Sequence, residues 1–366
     1  MANNDGAIRE IRINPIVPTE SVLVATERSL RPKKAETGIP HDDREWVADC
    51  PFCPGNESRT PEAIVCVPEN GPWAIRIVNN LYPMLGDELR PSSLQFGLQQ
   101  TIDGYGRHEV IIDHHHHGVA LHEMSESHLE RLFRSYRDRM AQLYATDERI
   151  KYVLVFKNFG PAAGASIPHT HSQIIAMPVI PHNINAELDH SLQYFQTHRQ
   201  CIFCALIDEA LSLEATFYDQ HSGEQLRKID VGQYVVERGR RFIAIKPFAS
   251  RYAWEIHILP QNHHHDFVAT PDDDLQDLAT VMKRVMQRLD AVLDGVQYNF
   301  FLHSAPHSAD DHHHAASYHW HIEICPRTSI PSGFELGSGL FANTVSPESA
   351  AQQLRDVVLA ANETPP

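Results

Sequence analysis

The sequence predicts an α+β fold made of two similar halves, each an antiparallel sheet with one long helix. The first observation behind this prediction is a set of landmarks that recurs in the same order. The landmarks repeat at offsets of 151, 146 and 150 residues: Cys50 and Cys201, His117 and His263, His169 and His319. The second observation is that the predicted elements also repeat in one order. Several landmarks in register indicate a duplicated unit.

Two strands precede a long helix, and two strands follow it, in each half. Alternating apolar residues and short apolar runs predict these strands. They lie near residues 73–78, 108–113, 152–156 and 167–173 in the first half, and near residues 241–246, 254–259, 298–302 and 318–323 in the second. The order strand, strand, helix, strand, strand therefore describes both halves.

Apolar residues at helical spacing predict one long helix over residues 125–145 and another over residues 271–293. Both begin with acidic residues, which helix N-termini favour. A last helix is predicted near Ser346, because serine can cap a helix and the proline after it suits the first turn. We thus expect an N-terminal half over residues 1–180, and a C-terminal half with the last helix over residues 181–366.

Length and charge limit the classes of function. The chain has 366 residues, enough for two domains of ordinary size. Its net charge of −16 argues against a nucleic-acid or anionic-membrane binder, because such proteins need a basic surface. No apolar run approaches membrane-spanning length, and the first residues lack the pattern of a secretory signal. We therefore expect a cytoplasmic protein that binds small molecules.

Each half contains two cysteines from a Cys-x-x-Cys turn and two histidines, the ligands that a structural zinc site commonly uses. The predicted sets are Cys50, Cys53, His117 and His169 in the first half, and Cys201, Cys204, His263 and His319 in the second. Neighbouring histidines at 114–116 and 264–265 leave the third ligand of each set open. A redox role is the alternative, but the prolines after Cys50 and Cys53 do not continue a helix as thioredoxin-like motifs do. We expect two zinc ions per chain.

The nucleophile is expected at His171. On a strand, the side chains of His169, His171 and Gln173 face the same side, so His171 would lie beside an anchored metal ligand. An imidazole held in this way is suited to nucleophilic or base chemistry. The alternative is a surface or core histidine without a chemical role.

The segment upstream of the His-x-His strand is rich in small residues from Asn158 to Ser166. Small residues such as Gly164 let backbone N–H groups come close to phosphate oxygens. Ser166 and Gln173 can add neutral hydrogen bonds to a developing phosphoryl charge. This composition predicts a phosphate site next to the nucleophile.

Four segments together resemble the galactose-1-phosphate uridylyltransferase family, a branch of the histidine-triad superfamily of nucleotidyltransferases. They are Cys50-Pro-Phe-Cys-Pro-Gly-Asn-Glu57, Asn80-Leu-Tyr-Pro83, Gly164-Ala-Ser-Ile-Pro-His-Thr-His-Ser-Gln173 and Tyr318-His-Trp-His-Ile-Glu323. The resemblance implies a duplicated histidine-triad fold, a homodimer, and ping-pong transfer through a covalent nucleotidyl-histidine. It also implies a role in carbohydrate metabolism, specifically that of galactose.

By position, the resemblance implies that His171 is the nucleophile and His169 a zinc ligand. The transferred phosphate would lie among Asn158, Ser166 and Gln173. The nucleoside would contact Asn79 and Asn80. Arg28 and Arg31 would reach the sugar-phosphate phosphate from an arm of the other subunit.

The substrate stays open between two kinds of nucleotide. UDP-glucose and galactose 1-phosphate are favoured, because the family is mostly uridylyltransferases. Many of these read His-Pro-His-Gly-Gln at the catalytic strand, whereas this chain reads His-Thr-His-Ser-Gln. That strand and the second Cys-x-x-Cys set also look like adenylyl-transferring members, namely ADP-glucose phosphorylases and adenylylsulfate:phosphate adenylyltransferases (ADP sulfurylases).

In the second half His321 takes the nucleophile's place, but Glu323 replaces the amide of Gln173. Its carboxylate would oppose a phosphate, so that half is expected to be structural.

Two rival functions stay open. A hydrolase of the same superfamily would differ in lacking a basic acceptor site such as Arg28 and Arg31. A zinc-stabilised binding module is the non-enzymatic rival, in which changing His171 would affect no activity.

Overall fold

A computed structural model describes residues 8–30, 42–90, 92–219, 221–307 and 314–359. Arg31 of the predicted arm lies outside these residues. The strands among the described residues are β1 (Arg9–Ile13), β2 (Ser21–Ala25), β3 (Ala63–Val67), β4 (Ile75–Asn79), β5 (Ser93–Phe96), β6 (Gln99–Ile102), β7 (Arg107–Ile112), β8 (Tyr152–Phe159), β9 (His171–Met177), β10 (Glu214–Tyr218), β11 (Gln225–Asp230), β12 (Val235–Arg238), β13 (Phe242–Ile245), β14 (Ile256–Pro260), β15 (Tyr298–His303), β16 (His321–Pro326) and β17 (Phe341–Asn343). The α-helices are α1 (Glu126–Thr146), α2 (His182–His198), α3 (Ile202–Ser212), α4 (Asp272–Leu293), α5 (Gly333–Ser338) and α6 (Pro347–Asp356).

One ten-stranded sheet runs through the molecule in the order β12-β13-β14-β16-β15-β8-β9-β7-β4-β3. Five neighbouring strands come from each half, and β8 of the first half pairs antiparallel with β15 of the second. In each half three strands of this sheet precede the long helix and two follow it. The sequence predicted only two strands before each helix, so it missed β3 and β12. The duplicated α+β fold is confirmed.

The cross-strand register orients the two halves. Five cross-strand pairs form one row across the sheet, which contains Val110, Gln173, Phe156, Phe301, Glu323 and His257. Gln173 and Glu323 thus lie in one row, three strand spacings apart. Because β9 and β16 run in opposite directions, His171 and His321 lie on opposite sides of this row. Strand spacing and rise place the two histidines roughly 20 Å apart.

Helices α1 and α4 pack on the face of the sheet opposite to Gln173. Ser125 caps α1 by accepting from the His128 amide at 3.2 Å, and the apolar stripes of both helices bury the largest core cluster. Helices α2 and α3 pack on the other face, over the C-terminal half. The sequence did not predict α2 and α3, nor the hairpins β5–β6 and β10–β11.

The first two strands lie with C-terminal elements. β2 pairs with β1 on one side and with β17 on the other. Buried Arg12 ties this small sheet to the C-terminal half, donating to the Phe248 carbonyl at 3.2 Å and to Glu348 Oε1 at 2.9 Å. Within the described ranges, no helix has both the length and the apolar composition to cross a membrane.

Candidate active site and metal centres

The Cys-x-x-Cys turn of the N-terminal half meets His117 and His169 in a buried cluster. The four ligand atoms lie within 4.8 Å of one another. Sγ of Cys50 is 3.5 Å from Nδ1 of His169, and Sγ of Cys53 is 3.5 Å from Nδ1 of His117. Asn56 closes the turn by donating to the Cys50 carbonyl at 2.7 Å.

These distances fit a tetrahedral metal ion. Metal–sulfur distances of about 2.3 Å and metal–nitrogen distances of about 2.0–2.1 Å, as for zinc, give a sulfur–nitrogen edge of roughly 3.6 Å. Nε2 of His169 donates to the His114 carbonyl at 2.7 Å, which turns Nδ1 toward the cysteines. Burial raises the pKa of the Cys53 thiol to about 11, so a thiolate there requires a nearby positive charge. The cluster could hold a metal ion.

The second half contains the matching cluster of Cys201, Cys204, His263 and His319. Sγ of Cys204 is 3.4 Å from Nδ1 of His263 and 3.6 Å from Nδ1 of His319. Nε2 of His263 donates to the Ala315 carbonyl at 2.7 Å, and Nε2 of His319 to the Pro260 carbonyl at 2.9 Å. Unlike the first turn, this one opens a helix, since Cys201 is the N-cap of α3. It could also hold a metal ion.

β9 begins at His171, the expected nucleophile. Nδ1 of His171 donates to the carbonyl of His169 at 2.8 Å, and among the described residues Nε2 has no hydrogen-bond partner. Burial lowers the pKa of His171, so the ring is neutral at neutral pH and Nε2 carries a lone pair. Phe52, inside the Cys-x-x-Cys turn, packs against this ring with centroids 5.3 Å apart. The metal cluster and the candidate nucleophile are therefore one packed unit.

A buried network holds the backbone of His171 from the helix side of the sheet. Nζ of Lys157 donates to Asp113 Oδ2 at 2.6 Å, to Thr170 Oγ1 at 2.7 Å and to the His171 carbonyl at 3.1 Å. Ser172 donates to the same oxygen of Asp113 at 2.9 Å. Because Lys157 and Asp113 are both fully buried, losing either one would leave an unpaired buried charge.

The segment between Asn158 and Ser166 forms a tight turn beside His171. Lys157 of β8 pairs with Ser172 of β9, so the next pair in this register places Asn158 opposite His171. Four consecutive backbone amides, at residues 162–165, already donate within the turn or to the side chain of Gln297. These amides, including that of Gly164, are therefore already engaged in this structure, and their binding of phosphate stays a prediction. Asn158 and the exposed Ser166 are the remaining donors of the segment.

Gln173 has a fixed orientation because its amide oxygen is held. His108 accepts from the Met84 amide through Nδ1 at 3.2 Å, so its Nε2 is protonated and donates to Gln173 Oε1 at 2.7 Å. The amide nitrogen of Gln173 then remains as a donor toward the open face of the sheet. Asn80 lies next to this pair, with Nδ2 at 3.1 Å from His108 Nε2.

The predicted substrate residues are distributed between two parts of the molecule. Asn79 ends β4 and Asn80 follows it, two strands from Gln173. The strand register places Asn79 on the face of Glu109, opposite to Gln173, whereas Asn80 contacts His108 on the open face. Asn79 is exposed and Asn80 is half-buried. Arg28 instead lies in a short 3-10 helix after β2. Burial raises the pKa of Glu335, but hydrogen bonds from Ser332 and from its own backbone lower it below its ordinary value, and the charge of Arg28 adds to that lowering. Within one chain the structure does not bring Arg28 into contact with His171.

His321 has different surroundings from His171. Its Nε2 lies 3.9 Å from Glu187 Oε2 and 3.7 Å from Glu323 Oε1. Although burial opposes ionisation, Arg251 and His257 hold the pKa of Glu323 well below its usual range. Two carboxylates near the ring nitrogen would repel a phosphate. Together with His303 these side chains have ligand atoms within 4.8 Å of one another, so they could hold a cation instead.

Three residues that contact the site were not predicted from the sequence: His108, Gln297 and Asn299. Asn299 Nδ2 donates to Asn158 Oδ1 and to the Ala163 carbonyl, both at 2.8 Å. The available signal was that His108 begins a predicted strand, and that Gln297 and Asn299 lie at the start of another. Nothing in their spacing indicates which side chains they meet, because the contacts cross between strands of the folded sheet.

Comparison with known proteins agrees with the fold and the motifs. The family model for the galactose-1-phosphate uridyl transferase N-terminal domain matches residues 2–181, and the model for the C-terminal domain of that family matches residues 187–361. The chain is a nucleotidyltransferase, as its named relatives are. It belongs to the galactose-1-phosphate uridyl transferase family, as the sequence motifs predicted.

Two named relatives match nearly the whole chain. The chain is 31% identical over 353 residues to an ADP-glucose phosphorylase of Arabidopsis thaliana, covering 96% of this chain and 93% of the relative. It is 27% identical over 357 residues to a galactose-1-phosphate uridylyltransferase of Thermotoga maritima, covering 95% and 98%.

Two solved structures match the fold of nearly the whole chain. The crystal structure of an ADP-glucose phosphorylase from Arabidopsis thaliana with bound ADP-glucose matches with a TM-score of 0.79 at 30% identity. The match covers 96% of this chain and 100% of that one. A structure of uridylyltransferase matches with a TM-score of 0.68 at 25% identity, covering 94% of this chain and 97% of that one.

Proposed function

We propose that this protein transfers a nucleotidyl group in two steps through a covalent intermediate on His171. The observation that carries the proposal is the His171 ring, whose Nδ1 donates to the His169 carbonyl at 2.8 Å while Nε2 has no hydrogen-bond partner among the residues that the structure describes. A neutral imidazole in this orientation presents its lone pair to a substrate. The ring also packs against Phe52, so its orientation is fixed before substrate binds.

In the first step Nε2 attacks the α-phosphorus of a nucleoside diphosphate sugar. The new bond is P–N, and the bond that breaks joins the α-phosphorus to the bridging oxygen, so sugar phosphate leaves with the electron pair. The His171 ring becomes cationic, and the His169 carbonyl stabilises it through the Nδ1–H bond. In the second step an acceptor phosphate oxygen attacks the same phosphorus, the P–N bond breaks, and the neutral ring is restored.

Three neutral amide or hydroxyl groups are proposed to bind the transferred phosphate. Asn158 and Gln173 each have their amide oxygen occupied, by Asn299 and by His108, so each presents an amide NH₂ to the substrate. Ser166 contributes a hydroxyl. The nucleoside is proposed to lie along Asn79 and Asn80, at the end of the strand β4.

The two Cys₂His₂ clusters are proposed to bind one zinc ion each. Zinc when bound would supply rigidity rather than reactivity, because all four ligand positions of each site come from the protein. The first site would fix the side chain of His169, whose carbonyl orients His171. The second site would hold α3 against the end of β16.

Adenylyl transfer from ADP-glucose to phosphate is the first candidate for the specific reaction. It is supported by the Arabidopsis thaliana ADP-glucose phosphorylase, with 31% identity and, for its structure, a TM-score of 0.79, and by the second Cys₂His₂ cluster. Uridylyl transfer between UDP-glucose and galactose 1-phosphate, which the sequence analysis favoured, is the second candidate. The Thermotoga maritima uridylyltransferase supports it with 27% identity over nearly the whole chain.

A cytoplasmic homodimer is part of the proposal. Arg28 lies on the C-terminal side of its own chain, so it would have to act on the phosphate of the partner's substrate. Arg31 belongs to the same arm and is proposed to act with it. An acceptor site of this kind distinguishes a transferase from a hydrolase of the same superfamily.

The test is covalent labelling without acceptor. The protein is incubated in parallel with ADP-glucose, UDP-glucose and adenylylsulfate, each labelled in the α-phosphate. We expect an acid-labile, base-stable label on His171, formed fastest from ADP-glucose and discharged by phosphate. Faster labelling from UDP-glucose selects the second candidate. Label retained in His171→Asn, or found on His321, contradicts the mechanism, and rapid discharge by water alone supports the hydrolase.

A further inference from the structure

The C-terminal half reaches into the candidate active site through one strand, β15. Its Asn299 pairs directly with Asn158 of β8 across the junction of the two halves. Nδ2 of Asn299 donates to Asn158 Oδ1 and to the carbonyl of Ala163, both at 2.8 Å. One amide group from the C-terminal half therefore holds the segment that precedes the nucleophile strand at two points, its first residue Asn158 and Ala163 within the turn.

A second side chain of the C-terminal half contacts the same segment. Oε1 of Gln297 accepts from the Ala162 amide at 2.7 Å. The turn begins at Gly160, which has φ of 86°, and a Cβ there would lie 2.6 Å from Cγ of Gln297. The segment therefore packs closely against Gln297, which directly precedes β15, and against Asn299 of β15.

We infer that Asn299 is a positioning residue for nucleotidyl transfer, which orients the Asn158 amide toward the phosphate that His171 attacks. The hydrogen bonds require this orientation. Both hydrogens of the Asn299 amide are donated to oxygens, so the group it faces on Asn158 must be the oxygen. The NH₂ of Asn158 then points away from Asn299, and if Asn158 turned over, two NH₂ groups would face each other.

This inference makes the C-terminal half a contributor to the chemistry, not only a structural partner. A donor aimed in advance at developing charge accelerates a reaction because it need not reorganise. Asn299 supplies that preorganisation from 141 residues further along the chain than Asn158. The inference rests on the proposed function, since it assigns a role to Asn158 in phosphoryl transfer.

The decisive variant is Asn299→Asp, which keeps the size and shape of the side chain but replaces the donor with an oxygen. The carboxylate would face Asn158 Oδ1 and the Ala163 carbonyl, so we expect Asn158 to turn its NH₂ inward. The single-turnover rate of His171 labelling should fall roughly 10- to 100-fold, which is no more than the loss expected when one such hydrogen-bond donor is removed. The Kd of the nucleotide substrate should change little. A merely structural role would not separate rate from binding in this way.

A double-mutant cycle tests whether Asn299 acts through Asn158. In an Asn158→Ala background, Asn299→Asp should lower the labelling rate by less than about threefold, because the group it orients is gone. If the rate loss in the double variant equals the product of the losses in the two single variants, the inference is overturned. It is also overturned if Asn299→Asp labels at the wild-type rate. The matched control is Asn185→Asp, which also removes an amide donor to a backbone carbonyl, at 3.2 Å from Ile180, away from the site. It should label at the wild-type rate.

Hydrogen exchange separates this inference from the proposed function. The amides of residues 162–165 should be protected in the wild type and exchange faster in Asn299→Asp and in Gln297→Leu, which loses the contact to Ala162 while keeping its packing on Gly160. If the wild type never labels His171, the proposed function fails, and the exchange result still decides whether β15 holds the segment. Unchanged exchange in both variants would overturn that role of the strand.

Discussion

At the level of single residues, His169 links the metal cluster to the reacting ring. Its Nδ1 lies 3.5 Å from Cys50 Sγ, while its carbonyl accepts from Nδ1 of His171 at 2.8 Å. One residue thus sets both the position and the tautomer of the next histidine. Among the described residues no carboxylate is hydrogen-bonded to the His171 ring, and the nearby charge of Asp113 is paired with Lys157 at 2.6 Å. The neutral ring can therefore attack an anionic phosphate without a carboxylate bonded to it.

Lys246 offers a residue-scale prediction on stability. It is fully buried and donates to Ser250 Oγ at 2.9 Å and to the carbonyls of Tyr252 and Glu255 at 3.2 and 3.0 Å. Burial lowers the pKa of Lys246 from 10.5 to about 7, although Glu255 opposes the shift. The unfolded chain therefore binds more protons than the folded one above neutral pH. Below a pH of about 7, burying the charged lysine lowers the free energy of unfolding. As the pH rises from there toward 10.5, the folded protein loses this proton and that free energy increases.

Lys246→Met removes this titration. Between about pH 7 and pH 10, the free energy of unfolding of the wild type should rise relative to Lys246→Met by as much as about 1.4 kcal/mol per pH unit. Urea unfolding at several pH values measures it. Lys151→Met, a change at an exposed lysine, is the control and should show no such slope. A constant difference between wild type and Lys246→Met across this range would contradict the lowered pKa.

At the level of elements, the two Cys-x-x-Cys turns are similar in ligands and different in what they support. The first packs through Phe52 on His171, which faces an open site. The second packs through Phe203 on His321, with ring centroids 5.0 Å apart, and that ring is closed in by Glu187 and Glu323. The same supporting element therefore serves a reactive histidine in one half and a buried one in the other.

Removing each metal site should have different consequences. We expect two tightly bound zinc ions per chain, with Cys53→Ser and Cys201→Ser each losing one. Both should lower the free energy of unfolding by several kcal/mol, because binding energy at such sites is folding energy. Only Cys53→Ser should also slow His171 labelling, since only the first site fixes His169.

Metal analysis of chelator-washed protein, thermal unfolding and single-turnover labelling measure these effects. Cys66→Ser is the control, because Cys66 lies on β3 outside both clusters, and it should retain two zinc ions. One ion or none in the wild type would remove the second site or both. Equal loss of labelling in the two site variants would contradict the division of roles.

At the level of the whole molecule, the ten-stranded sheet makes the halves interdependent. They join through β8 and β15, and the segment between Asn158 and Ser166 lies at that junction. The small sheet β1-β2-β17 also carries Arg28 to the C-terminal side. A complete site therefore requires both halves of one chain and, as proposed, the arm of a second chain.

Mixed dimers test the arm. Arg28→Ala with Arg31→Ala should weaken binding of phosphorylated substrates roughly ten- to a hundredfold or more, at about 1.5–3 kcal/mol per lost charged hydrogen bond. The arm variant is then co-expressed with His171→Asn. If the arm acts across the dimer, each hybrid dimer has one intact site, so about a quarter of all sites should be active. Arg9→Ala, also an exposed arginine near this helix, should behave as wild type. An unchanged KM for both substrates would contradict the role, and no restored activity would place the arm in its own chain's site.

The sequence by itself determined the duplication, the α+β class, the two Cys₂His₂ sets, the candidate nucleophile and the family. These follow from local periodicity and from motifs repeated in register, and such patterns are written in the order of the residues. Three features were decided only by the tertiary structure. The matching strands β9 and β16 of the two halves run in opposite directions within one sheet, and the amides of residues 162–165 already donate hydrogen bonds. Asn299, as inferred, orients the amide of Asn158, and His108 orients that of Gln173. The reason is physical: these contacts join strands far apart in the chain, and the direction of an amide hydrogen bond depends on the partner that packing places opposite it.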